Sequence, residues 1–138
     1  MTMPAGKYYV GDLCYVLHDE WDECCNLFFA NRKDQGCNEG EFNLRDGRRF
    51  ASFNTAYGDG GYFDEQGREY SVDSGGIGCI RLVDINLSHD SNYIDGGQIV
   101  DFPSDFETGY QDGKIIIGHV IIDTDPSYEN ENEYEYED

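Results

Sequence analysis

Residues 56–80 read AYGDGGYFDEQGREYSVDSGGIGCI. Glycine and acidic residues gather at two places in this stretch, with strand-like apolar runs between and after them. Asp59-Gly60 is a hairpin dipeptide, because a type I′ turn needs φ > 0 at both central positions and Asp and Gly tolerate it. Glu65-Gln66-Gly67 offers a second, looser reversal. Val72-Asp73-Ser74-Gly75-Gly76 interrupts the pattern before Cys79-Ile80-Arg81-Leu82-Val83 resumes it. A polar, Gly-rich break between strand-like runs is either a bulge or a site.

Outward from this stretch the chain stays strand-like with one exception. Lys7-Tyr8-Tyr9-Val10 reads as a strand, Gly11-Asp12 as a turn, and Leu13 to Leu17 as a second apolar run. The exception is a helix over about 19–31. Asp19 is placed to cap it, acids fill its first turns, and Arg32 and Lys33 follow its end, all favourable to the helix dipole. Trp21, Cys24, Cys25 and Phe28 recur at helical spacing and make one apolar face. Beyond it, Phe42 and Leu44 alternate with polar residues, Asp46-Gly47 turns the chain, and Phe50 to Phe53 returns. Residues 84–97 read as a long polar loop, Gln98 to Phe102 as a strand, and Asp112-Gly113 as a turn. Lys114 to Asp123 is the most apolar strand, and its run IIIGHVII suggests burial on both faces. Asp-Gly pairs at 46, 59, 95 and 112 punctuate these segments. The expected fold class is α+β, mostly β: an antiparallel curled sheet, small sandwich or barrel with the one helix packed on it.

At 138 residues the chain is read as a single β-rich domain over 1–123. Residues 124–138 read as an acidic disordered tail, since their composition cannot bury enough apolar surface to fold alone. The formal charge is −20. From Asp123 onward there are eight acidic residues and no Lys or Arg, so the rest still carries 21 acidic against 9 basic residues. Phosphate backbones and anionic membrane surfaces both bind through Lys and Arg, so direct contact with either is not expected. The same charge favours a basic protein partner.

Five cysteines with no C-x-x-C, no charged leader followed by an apolar run, and no apolar run near the ~20 residues of a membrane span point to reduced thiols in the cytoplasm. No His pair has metal spacing, no local Cys cluster closes a zinc tetrahedron, and no glycine-rich phosphate cradle is present. Neither a metal nor a cofactor is expected.

The boxes GDLCYV at 11–16, AYGDGGY at 56–62 and VDSGGIG at 72–78, with the Trp21 helix between the first two, fall in a telling order. They resemble a family of small uncharacterised proteins of phages, large DNA viruses and bacteria, which carries G-D-P-C-Y, A-Y-G-D-G-x-Y and V-D-S-G-x-I-G boxes. The chain departs at Leu13, where the family box has Pro. The resemblance implies a viral or bacterial intracellular setting, the host cytoplasm if viral, and supplies no activity.

Three functions follow from the residues. The leading one is a non-enzymatic accessory protein acting through its acidic surface on a host or viral protein; one version is a nucleic-acid mimic whose carboxylates imitate phosphates. A second is an aspartic peptidase of the retroviral type. Asp73-Ser74-Gly75 matches its D-[ST]-G signature and Ile116-Ile117-Gly118 resembles its downstream apolar-apolar-Gly element. Two such Asp residues, one per subunit, would share a proton and activate water. A third is a cation-binding, small-ligand or hydrolase site among Asp12, Tyr57, Asp59, Tyr62, Asp73 and Ser74. It is not an EF-hand, because positions three and five from Asp59 are Gly61 and Phe63. The cysteines sit in apolar runs as small hydrophobes, and His119 in IIIGHVII faces either the core or a pocket.

Overall fold

The computed structural model describes residues 2–17, 20–29, 39–55, 58–85 and 96–124. Among these residues there are eleven strands, one α-helix and two short 3₁₀ turns. In chain order these are β1 (Thr2–Met3), β2 (Gly6–Gly11), α1 (Trp21–Phe29), β3 (Gly40–Asn43), β4 (Arg49–Asn54), β5 (Gly60–Asp64) and β6 (Glu69–Val72). There follow β7 (Gly76–Arg81), β8 (Gly97–Phe102), β9 (Phe106–Gln111), β10 (Lys114–Ile117) and β11 (Val120–Asp123). The 3₁₀ turns span Leu13–Tyr15 and Leu82–Asp84. The strands form two antiparallel sheets that do not close into a barrel, in the orders β1-β9-β10-β11-β5-β6 and β3-β4-β7-β2-β8. The fold is thus mostly β with one helix, as expected, and its form is the sandwich.

Period-two alternation places the side chains. Tyr8 and Val10 of β2, Ala51 and Phe53 of β4, and Ile77 and Cys79 of β7 point between the sheets. They meet Tyr62, Tyr70, Val72, Phe106, Ile115, Ile117, Val120 and Ile122 of the six-stranded sheet. The intervening residues Tyr9, Phe50 and Ile80 point the other way, into a second cluster with Cys24 of α1. The five-stranded sheet is therefore covered on its inner face and, around Tyr9, Phe50 and Ile80, on its outer face, while Ile99 and Asp101 of β8 stay exposed; the six-stranded sheet is covered on one face.

Helix α1 has nine residues. That is too short to hold itself together, so its helicity depends on this docking. Trp21, Leu27 and Phe28 pack on the second cluster, and Phe28 meets Phe42 and Phe50 edge-on at 5.3 and 6.1 Å. A fully buried side chain of this kind contributes about 1.5–3 kcal/mol, and Trp21, Leu27 and Phe28, being half-buried, contribute less each. Asp22 and Glu23 sit in the first turn as expected, while Asp19 and residues 30–31 of the expected helix lie outside the described residues.

Two expectations are corrected by the topology. The apolar run 114–123 is not one strand buried on both faces but the hairpin β10–β11, reversed at Gly118-His119 with Ile117 opposite Val120. Ile115, Ile117, Val120 and Ile122 are buried while Ile116 and Ile121 on the other face stay half-buried. The doubly buried strand is β7, in which Gly76 to Ile80 are all buried. Asp59-Gly60 does not close a hairpin either: β4 and β5 belong to different sheets, so the dipeptide lies in a crossover.

The type I′ geometry instead occurs at Asp112-Gly113, with φ of 53° and 81° between paired Gln111 and Lys114. Asp46-Gly47 and Glu65-Gln66-Gly67 do reverse the chain, each in a three-residue loop ending on a positive-φ glycine and closed by Leu44–Arg48 or Asp64–Arg68 backbone bonds. Strand β9 was not expected, because Thr108 and Gly109 dilute its alternation. Thr124, assigned above to the tail, is fully buried, and its backbone N–H and Oγ1 both donate to Gly113 O, at 2.8 and 2.6 Å. Thr124 thus belongs to the folded body. The rest of the tail and most of the loop 84–97 lie outside the described residues.

Candidate functional site

At one end of the sandwich the chain passes between the sheets twice, from β4 to β5 and from β6 to β7. Strand β2 ends beside these crossovers. Its last residue, Gly11, pairs with Gly78 of β7 on one side and Gly97 of β8 on the other, a row of three glycines. The Tyr9 ring lies over this row, and a Cβ at Gly11 or Gly97 would stand 2.7 or 2.8 Å from its hydroxyl. At Gly78 a Cβ would meet Ala51 O at 1.9 Å. The strands can approach this closely only without side chains.

Asp12 follows Gly11 directly and is fully buried. Its Oδ1 accepts from Cys14 N at 3.0 Å and Ser74 Oγ at 2.6 Å, and its Oδ2 accepts from Asp73 N and Ser74 N, both at 2.7 Å. A carboxylate so supplied with donors is satisfied without a cation. Tyr15 donates its hydroxyl to Asp73 Oδ2, and its ring covers Gly96, where a Cβ would come within 2.4 Å of the ring.

The other crossover is held by Thr55. Its N–H donates to Gly75 O at 3.0 Å and its Oγ1 to Gly58 O at 2.6 Å, and Tyr62 Oη donates to the same Gly58 O at 2.9 Å.

The three boxes singled out in the sequence therefore meet at one end of the molecule. Asp12, Asp73 and Ser74 are brought together, and Tyr62 joins the adjoining turn. Asp59 is exposed on the bend next to it. Tyr57 lies outside the described residues. Sequence reasoning missed Tyr15 and Thr55; the tyrosine that closes GDLCY was the available signal for the first.

Chemically, the cluster is hydrogen-bonded to itself. Burial, then the Asp12 carboxylate, then Asp73 and Asp59, push the Cys14 thiol far above its ordinary range. Burial and the bond to Asp73 push the Tyr15 phenol up likewise. Neither group is poised as a nucleophile or base near neutrality. Cys14, Cys24, Cys25 and Cys79 form no disulfide, and burial raises Cys24 and Cys79 to about 12.

Among the described residues no group of three or more His, Cys, Asp or Glu is placed to hold a metal. His119 is exposed in the β10–β11 turn, its ring 5.0 Å from that of Phe102. The second element of the peptidase signature is distant from the first. Gly118 packs on Phe102 and Phe106, beside the Gly6 end of β2, whereas Asp73 lies at the Gly11 end. Asp73, meanwhile, holds Tyr15. No described helix is long and apolar enough to cross a membrane. The chain matches no family model, no curated protein and no solved structure.

Proposed function

We propose that this protein is a non-enzymatic acidic binding protein that acts on a basic protein partner, in the viral or bacterial intracellular setting its sequence boxes imply. The observation that carries this reading is how its few cations are placed. Arg48 pairs with Glu20 at 2.6 Å and Asp46 at 2.8 Å, Arg49 with Glu41 at 3.0 Å, and Arg68 with Asp64 at 2.8 Å. Arg45 lies 3.6 Å from Glu23. These arginines serve the fold, tying the β3–β4 turn to α1 and closing the β5–β6 hairpin. They commit four of the nine cations to the fold, while carboxylates such as Glu65, Glu69, Glu107 and Asp112 lie exposed on the surface. In a chain of formal charge −20, that surface attracts cations and repels phosphate. Mimicry of a nucleic acid is one version of this function, with the partner then a nucleic-acid-binding protein.

The test is capture of basic proteins from a host lysate at rising ionic strength. Capture that falls steeply between about 50 and 500 mM salt supports the reading, since exposed charges are screened over that range. Capture indifferent to salt overturns it.

A further inference from the structure

The five-stranded sheet has α1 on its outer face, whereas the outer face of the six-stranded sheet carries no described element. Register places Gly109, Ile116, Ile121 and Glu65 in one cross-strand row there. Lys114, Asp123, Phe63 and Glu69 make the next. Two depressions of about 310 and 270 Å³ adjoin along these rows and share Glu65, Lys114, Ile121 and Asp123. Phe63 is 53% exposed beside them. Gly109 offers open space where a Cβ would stand, so the strip has low relief.

Its border is acidic, with Glu65, Glu69, Glu107 and Asp112 around the edge, and Asp123 lies within it between Lys114 and Phe63. The bordering cations each face a carboxylate, Lys114 across the register from Asp123 and Arg68 on Asp64. Ile116, Ile121 and Phe63 span neighbouring strands β10, β11 and β5, a width of about 10 Å at the ~4.8 Å strand spacing. A helix is about 10 Å across.

Resting on the function proposed above, we infer that this face docks a basic amphipathic helix of the partner. Its apolar stripe covers Ile116, Ile121 and Phe63, and flanking Lys and Arg side chains reach the surrounding carboxylates. The packing repeats the way α1 covers the other sheet. A second copy of this chain is the wrong occupant, because it would set one acidic border against another.

The probe is a synthetic amphipathic Leu/Lys helix of about 15 residues, with a scrambled peptide of the same composition as control. Both are titrated into the full-length ¹⁵N-labelled protein at low salt. The expected result is amide shifts concentrated on β5, β10 and β11, weaker binding of the scrambled peptide, and at least about tenfold weaker binding by Phe63→Ser. Phe63 is exposed enough that its removal leaves the fold intact, which the variant's own spectrum checks. Shifts confined to residues 125–138, equal affinity for both peptides, or a concentration-dependent homodimer through these strands overturn the docking face and leave the acidic-binding function standing. Binding of neither peptide overturns both.

Discussion

Asp12 and Ser74, 62 residues apart, are joined by two hydrogen bonds, from the serine N–H to Oδ2 at 2.7 Å and from its hydroxyl to Oδ1 at 2.6 Å. The carboxylate also receives Asp73 N and Cys14 N. One buried side chain thus fastens the end of β2 to the crossover between the sheets. Asp12→Ala strands three backbone donors and is expected to cost about 3 kcal/mol or more. Asp12→Asn keeps an acceptor oxygen and is expected to cost less. Urea unfolding of both variants checks this; an Asp12→Ala variant as stable as the parent would show that the cluster is not a fastening.

The glycines divide sharply by what surrounds them. At Gly78 a Cβ would stand 1.9 Å from Ala51 O, a backbone atom that cannot yield without moving β4. Gly78→Ala is expected to lose about 3 kcal/mol or more. At Gly109, on the exposed face of β9, nothing lies within 4 Å of the added carbon and φ is not positive. Gly109→Ala is expected to be neutral or to stabilise by about 0.5 kcal/mol. Thermal melts of the two variants side by side test the contrast.

Much of this fold was legible because turn chemistry and alternation are local. Asp46-Gly47, Glu65-Gln66-Gly67 and Asp112-Gly113 reverse the chain where read, and Trp21, Cys24 and Phe28 give α1 its apolar stripe. What failed was non-local. Nothing within Asp59-Gly60 says whether the next strand joins the same sheet or the opposite one. In IIIGHVII, the Gly-His reversal hides because the apolar residues on both sides are continuous in sequence. The site was half legible: Asp12, Asp73 and Ser74 stood out as residue types, but only the fold shows that they bond to one another. Tyr15 and Thr55 complete the cluster through bonds no spacing rule contains.

Stability should fall in acid because of Asp64. Burial alone raises its carboxyl, but the Tyr70 hydroxyl, the Arg68 and Gln66 N–H groups and the Arg68 guanidinium outweigh that and hold it below the ordinary carboxylate range. A carboxyl depressed by folding stabilises fully above its unfolded value near 4 and loses that contribution as the pH falls through the folded value. Asp64→Asn should therefore be less stable than the parent at pH 6, with the gap closing below about pH 4. On the alkaline side the sign reverses. Tyr8 is raised by burial to about 12, so its contribution is whole below its unfolded value of 10.0 and is lost as the pH climbs through about 12. Urea midpoints for parent and Asp64→Asn across the acid range decide the first point. A gap that does not change with pH would mean that Asp64 acts only through shape.

Cys14 tests whether the Asp12–Asp73 cluster is a reactive centre or a structural one. Its thiol is half-buried, and burial together with the Asp12, Asp73 and Asp59 carboxylates holds it protonated. Thiolate is the species that attacks an alkylating agent, so a thiol held protonated reacts slowly. In the native protein at pH 8, iodoacetamide should modify Cys14 at least about a hundredfold more slowly than an unstructured cysteine peptide. In urea that difference should vanish. Asp12→Asn should accelerate the native reaction by removing the nearest negative charge, provided its spectrum remains that of the folded chain. Rapid modification of native Cys14, read by mass spectrometry of the peptide containing it, would instead mark this end of the sandwich as a nucleophilic site.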